Sequence, residues 1–133
     1  MNRLIPLLAG IVLMIASLTG AGGAMAVDAK PFSGEFRGLN KHVTTGNVSI
    51  IKTENGGSVL ILGKDFSLDG APDPSVGLGK NGKYDRQANL GKMTKINGFQ
   101  VYQIPDDLDW STYNEVYIWC EKFTVALGVA AIK

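Results

Sequence analysis

Apolar and polar positions follow two different rhythms along this chain. Leu4 to Leu18 is a continuous hydrophobic run behind Met1-Asn2-Arg3, followed by Thr19-Gly20-Ala21-Gly22-Gly23 and then the small-x-small triplet Ala24-Met25-Ala26. A basic start, a short apolar stretch and small residues at the end are the parts of a secretory signal peptide, which predicts residues 1–26 as a leader cleaved after Ala26. An uncleaved anchor is the alternative, but Pro6 and the glycines leave the run short of the roughly 20 apolar residues a spanning helix needs. The reading is therefore an exported chain, periplasmic or secreted, with no stable membrane span once the leader is removed.

From Val27 onward the rhythm is short and alternating, with Gly or Asn-Gly punctuation every few residues, which is the pattern of strands. Phe32 to Phe36 opens the domain, and Asn55-Gly56-Gly57 predicts a hairpin between Val48–Lys52 and Ser58–Leu62, because these residues supply the positive φ of a tight turn. Val76-Gly77-Leu78 is a short apolar segment and Lys80-Asn81-Gly82-Lys83 turns again. Lys92–Ile96 is expected to pair near Phe99–Ile104, which Pro105 ends by removing a ladder donor. Asp106 to Trp110 reads as a helical turn or loop, before two final strands, Glu115–Cys120 and Phe123–Ile132. In the last, Phe123, Val125, Leu127 and Val129 would share one face, and its lack of charges predicts a central position. No window of residues 27–133 holds sustained helical spacing. The fold class is all-β: a single antiparallel β-sandwich, barrel-like, of about seven to ten short strands with little helix.

Composition narrows the chemistry. The 133 residues carry 13 Lys+Arg against 12 Asp+Glu, a formal charge of +1, and give no basic excess for a nucleic-acid partner. Losing Arg3 with the leader brings residues 27–133 to neutrality. One Cys and one His cannot supply the four protein ligands of a structural zinc site, nor the two His and one Cys of a blue-copper site, and no Cys-x-x-Cys-His is present. No metal site is expected. Gly77-x-Gly79 lacks the Gly-Lys-Ser/Thr ending of a phosphate loop, and Asp65, Asp69 and Asp73 do not match a calcium loop. No Gly-x-Ser-x-Gly supports a hydrolase.

Cys120 is where chemistry concentrates. The period of two places it with Val116 and Ile118, opposite Tyr117, Trp119 and Glu121. That position suits a buried small hydrophobe. It also ends the strand before Glu121-Lys122, where a thiolate would be accessible and Lys122 would favour it. An unpaired thiol in an exported protein points to reactivity or to intermolecular pairing.

The order Phe32-Ser-Gly-Glu-Phe36, His42-Val-Thr-Thr-Gly46-Asn-Val48, Leu60-Ile-Leu62 with Asp65-Phe66, Gly70-Ala-Pro72-Asp73, Gly98-Phe-Gln100-Val-Tyr102-Gln-Ile104-Pro105 and Val116-Tyr-Ile-Trp119-Cys120-Glu-Lys-Phe123 resembles the DM-thirteen domain of Skeletor-like and DOMON-associated proteins. The Trp-Cys-x-x-Phe stretch is its most specific part, and Cys120 holds the signature position. The resemblance implies an extracytoplasmic β-sandwich for electron transfer, with the cysteine acting as a bare thiol or holding a prosthetic group such as haem. No DOMON or cytochrome module accompanies it here, so a redox partner protein would supply or accept the electrons. For a cofactor, residues 27–133 offer Cys120, then His42 and Met93. His42 reads first as a polar loop residue and Met93 as a core filler. Thiol chemistry through sulfenic acid needs no cofactor and comes first. The second class of function is a non-enzymatic binding or adhesion module, with Tyr102, Tyr113, Tyr117 or Trp110 as a platform for a glycan or protein.

Overall fold

The computed structural model describes residues 32–133, and the leader read over residues 1–26 lies outside the described residues. Among them the chain is all-β and antiparallel. One sheet runs in the order β1 (Phe32–Glu35), β4 (Asn47–Lys52), β5 (Ser58–Leu62), β9 (Gln100–Ile104). The other runs β2 (Arg37–Gly38), β11 (Val125–Ala131), β10 (Glu115–Cys120), β7 (Pro74–Lys80), β8 (Lys83–Lys92). A two-stranded ribbon of β3 (Thr44–Thr45) and β6 (Ser67–Leu68) joins them. The sheets form a sandwich and do not close into a barrel. Eleven strands exceed the expected range because β2, β3 and β6 are two-residue pairings that no sequence period can announce. The only helical turn among the described residues is a 3-10 turn at Trp110–Thr112, with Asp109 accepting from the Ser111 amide at its start. No described helix is long and apolar enough to cross a membrane.

The alternating residues pack as the pattern requires. Val48, Ile50, Leu60, Leu62 and Ile104 from the first sheet meet Val76, Leu78, Val116, Ile118 and Leu127 from the second, all nearly without solvent contact. Phe36 and Phe66 meet edge-to-face at the sandwich end, 5.4 Å between centroids. The predicted hairpin forms with Val48 opposite Leu62 and Ile50 opposite Leu60, turning at Gly56, whose φ is +93°. A second tight turn joins β7 and β8 at Asn81 (φ +51°) and Gly82 (φ +88°), the two consecutive positive φ values of a type I′ turn.

Three sequence expectations change. Lys92–Ile96 does not pair with the Phe99–Ile104 segment: Lys92 ends β8 opposite Ser75, and β9 pairs with β5. Gly91 (φ +138°) and Gly98 (φ +89°) bend this connection, Met93 turns into the core, and the Leu68 amide bonds the Ile96 carbonyl, so the segment crosses from one sheet to the other. Phe123 does not begin the last strand. It lies 60% exposed in the turn before β11, where Thr124 has φ +51°. The single alternating face also fails, because a bulge at Leu127 falls between the Ile118–Gly128 and Trp119–Ala126 pairs. Leu127, Ala130 and Ile132 then join the core, while Val129 pairs with Tyr117 on the outer face. Gly128 allows this, since a Cβ there would lie 2.6 Å from Thr44 Cβ, and Thr44 Oγ1 donates to the Leu127 carbonyl at 2.8 Å. The central placement of β11 holds.

Candidate functional site

β10 places Val116, Ile118 and Cys120 on the core face, as the period of two requires. Cys120 lies between Pro74 of β7 and Val125 of β11. Its residue is 1% exposed, and its thiol is free. The accessible strand-end thiol expected from the Glu121-Lys122 break is therefore corrected: two loops cover it. Sγ donates to the Pro72 carbonyl at 3.2 Å, and the Phe123 amide donates to Sγ at 3.5 Å. The Glu121 amide bonds the Asp73 carbonyl at 3.0 Å and ties the covering loops together. Lys122 Nζ lies over the Phe123 ring, 5.7 Å from its centroid.

His42 takes its partner elsewhere. Its Nδ1 sits 2.9 Å from Asp69 Oδ1, and the Val43 amide donates to Asp69 Oδ2 at 2.9 Å. Those two donors hold the Asp69 carboxyl below the usual range, the His42 hydrogen bond first. Met93 is buried in the core. No hydrogen bond among the described residues joins His42 or Met93 to Cys120. The three aspartates also diverge: Asp65 accepts from the Asn47 amide and side chain, Asp69 holds His42, and Asp73 faces Lys92 Nζ at 3.4 Å. A haem does not fit this arrangement. The sulfur faces packed core and two backbone loops, and the imidazole is committed to a carboxylate, so no step is assigned to one.

The opposite face of the same strand carries an array that the sequence left unread. Tyr117 and Trp119 project outward from β10, and Tyr84 of β8 lies over them. The Tyr84 ring stacks on Trp119 with centroids 4.2 Å apart and planes 16° apart, and meets Tyr117 edge-on at 5.9 Å. Glycines make the seat. A Cβ on Gly77 would fall 2.7 Å from Tyr84 Cε1, and one on Gly79 2.4 Å from Tyr117 Cε2. The Gly-x-Gly of β7 is thus a floor for rings. Asn89 Nδ2 lies within hydrogen-bond distance of Tyr84 Oη (2.7 Å), Ser75 Oγ (2.8 Å) and Glu121 Oε1 (2.9 Å), three oxygens that share its two N–H donors. Tyr117 Oη donates to Glu115 Oε1 at 3.1 Å, and the same oxygen accepts the Gly82 amide at 2.8 Å. Burial, then the Glu115 charge, pushes the Tyr117 phenol up to about 12. Trp119 Nε1 is buried with no acceptor among the described residues. The available signal was Gly77-x-Gly79, which the β7–β10 register sets opposite Tyr117 and Glu115, with Ser75 opposite Trp119, an arrangement that only strand pairing reveals.

The rings proposed as a docking platform do not gather. Trp110 Nε1 donates to Ser58 Oγ and its ring meets Phe32, Tyr102 donates to Gln100, Tyr113 to Asp85, and none of Tyr102, Tyr113, Tyr117 and Trp110 packs on another.

No curated protein and no solved structure matches this chain. The family model described as Electron transfer DM13 matches residues 35–132, from the end of β1 past the end of β11, and supports a general role in redox or electron transfer. Antiparallel sandwich, Trp119-Cys120 at the end of β10 and a match over most of the sequence agree: the chain belongs to the electron transfer DM13 family.

Proposed function

We propose that this domain is an exported redox carrier in which Cys120 changes oxidation state, working with a separate redox partner protein. The observation that carries the reading is the setting of Sγ at the end of β10 beneath two loops whose backbone groups touch it, Pro72 O at 3.2 Å and Phe123 N at 3.5 Å. The Pro72 carbonyl holds the thiol proton, and the Phe123 amide supports negative charge on sulfur. Loop opening, rather than permanent exposure, would set the rate at which the thiol meets an oxidant. With a peroxide as oxidant, the thiol releases its proton to water, and the thiolate sulfur forms an S–O bond with the terminal peroxide oxygen as the O–O bond breaks. The departing oxygen takes up one proton to leave as water or an alcohol, giving the sulfenic acid.

The test is alkylation of the native protein alongside dimedone trapping under peroxide. Expected is a slow folded-state alkylation, faster than global unfolding allows, and a single adduct on Cys120. Alkylation only at the unfolding rate, with no adduct and no visible absorbance of the purified protein, overturns the reading. Export is tested by intact mass of the full chain recovered outside the cytoplasm, which should begin at Val27.

A further inference from the structure

We propose that Trp119, Tyr84 and Tyr117 form a one-electron relay on the outer face of the second sheet, in which Tyr117 carries the radical and Glu115 takes its proton. The inference rests on the electron-transfer reading of the domain but not on the thiol.

The array has the parts such a relay needs. Three oxidisable rings lie in contact, Tyr84 with Trp119 at 4.2 Å and with Tyr117 at 5.9 Å, which is short range for electron exchange. Stacking over Tyr84 places a π-face against the indole and spreads positive charge formed on it. Trp119 Nε1–H has no acceptor among the described residues, so no described side chain stands ready to take the proton of an oxidised indole, which favours its persistence as a cation. Tyr117 differs, because its phenol already donates to the Glu115 carboxylate. Tyr84 also borders an open groove of about 590 Å³ with Lys80, Lys83 and Arg86, where an outside redox molecule can reach the edge of the array. Gly77 and Gly79 fix the ring positions, since a side chain at either would collide with Tyr84 or Tyr117.

The step balances. An outer-sphere one-electron acceptor takes one electron from the Trp119 indole and is reduced. Tyr117 then refills the indole with one electron across the array while its O–H bond breaks and an O–H bond forms on Glu115. The products are neutral Trp119, a neutral tyrosyl radical and a protonated Glu115 carboxyl. An outer-sphere one-electron donor closes the cycle by returning an electron to Tyr117, and Glu115 gives the proton back.

The experiment is flash photolysis of the full chain with photogenerated tris(bipyridine)ruthenium(III), followed by transient absorption and freeze-quench electron paramagnetic resonance. Expected is an indole radical cation that decays as a tyrosyl radical rises, with no tyrosyl from Tyr117→Phe beyond a slow background. Glu115→Gln keeps an acceptor for the Tyr117 hydroxyl and Gly82 amide but cannot take a proton at neutral pH. Its tyrosyl formation should slow at least about tenfold, the effect of ~1.4 kcal/mol of added barrier, while the indole cation lives longer. Unchanged tyrosyl yield in Tyr117→Phe, or an unchanged rate in Glu115→Gln, overturns the relay. Neither readout needs the thiol. A silent array with a trappable Cys120 removes the relay alone, and a working array with an inert Cys120 removes the thiol mechanism alone.

Discussion

Cys120 and His42 were the two side chains of most chemical interest in the sequence, and they occupy opposite kinds of place. Cys120 packs in the core, so Cys120→Ala removes buried volume and two sulfur contacts; it should cost about 1 kcal/mol in urea unfolding, as other small core truncations do. A change of that size with alkylation abolished separates the structural part of the residue from its reactivity. His42 serves the loop through Asp69, whose carboxyl is depressed from its ordinary 3.8. A depressed carboxylate lends stability above its unfolded pKa and loses it as pH falls through the folded value. The stability of the native protein should therefore drop on acidification below about pH 4, and Asp69→Asn should lower neutral-pH stability while shallowing that drop. An acid limb of the same slope in Asp69→Asn would contradict the pairing.

Strands were legible wherever they alternate and opaque wherever they do not. The β4–β5 hairpin and β10 follow from their period and turn residues, including the assignment of Cys120 to the core face. β8 gave no signal. It is an edge strand of Lys83-Tyr-Asp-Arg-Gln-Ala-Asn-Leu-Gly-Lys92, largely solvated, and it carries an irregularity in which two steps of β7 from Gly79 to Gly77 face five of β8 from Tyr84 to Asn89. Tyr84 is on that strand, so the aromatic array was hidden with it. The Leu127 bulge escaped for a related reason, since Thr44 and Gly128 are far apart in sequence and only their contact dictates it. Two glycine substitutions distinguish a seat from a turn. Gly79→Ala drives a Cβ into Tyr117 and the Lys83 carbonyl and should cost about 3 kcal/mol, with loss of near-ultraviolet dichroism from the displaced rings. Gly56→Ala meets no atom within 4 Å but keeps a φ of +93°, and should cost about 1 kcal/mol with the aromatic signal intact. Equal costs and equal spectra would deny Gly79 its role.

Across the whole molecule, all four tyrosines have raised phenol pKa values: Tyr84, Tyr102 and Tyr117 by burial, and Tyr113 through its hydrogen bond to Asp85. An acid raised above its unfolded value of 10.0 lends stability that is complete below that pH and disappears as pH climbs through the folded value. For Tyr117 the window runs from 10.0 to about 12, and the loss there approaches ~1.4 kcal/mol per pH unit. Ultraviolet titration should show less than half of the phenols ionised at pH 10, with Tyr117 the last to titrate, followed by alkaline unfolding that Tyr117→Phe makes shallower. Normal titration of all four would mean that the sheet face is open to water. The two ends of the described chain supply a different kind of consequence. Ser33 and Lys133 exchange amide and carbonyl bonds at 3.2 and 3.1 Å, joining the first strand of one sheet to the end of the last strand of the other. Because this pair is antiparallel, a force applied between residues 32 and 133 does not shear a row of bonds together but peels them one after another. Held by those two points, the domain would yield to tension as a zip fastener does, at low load and from its ends inward.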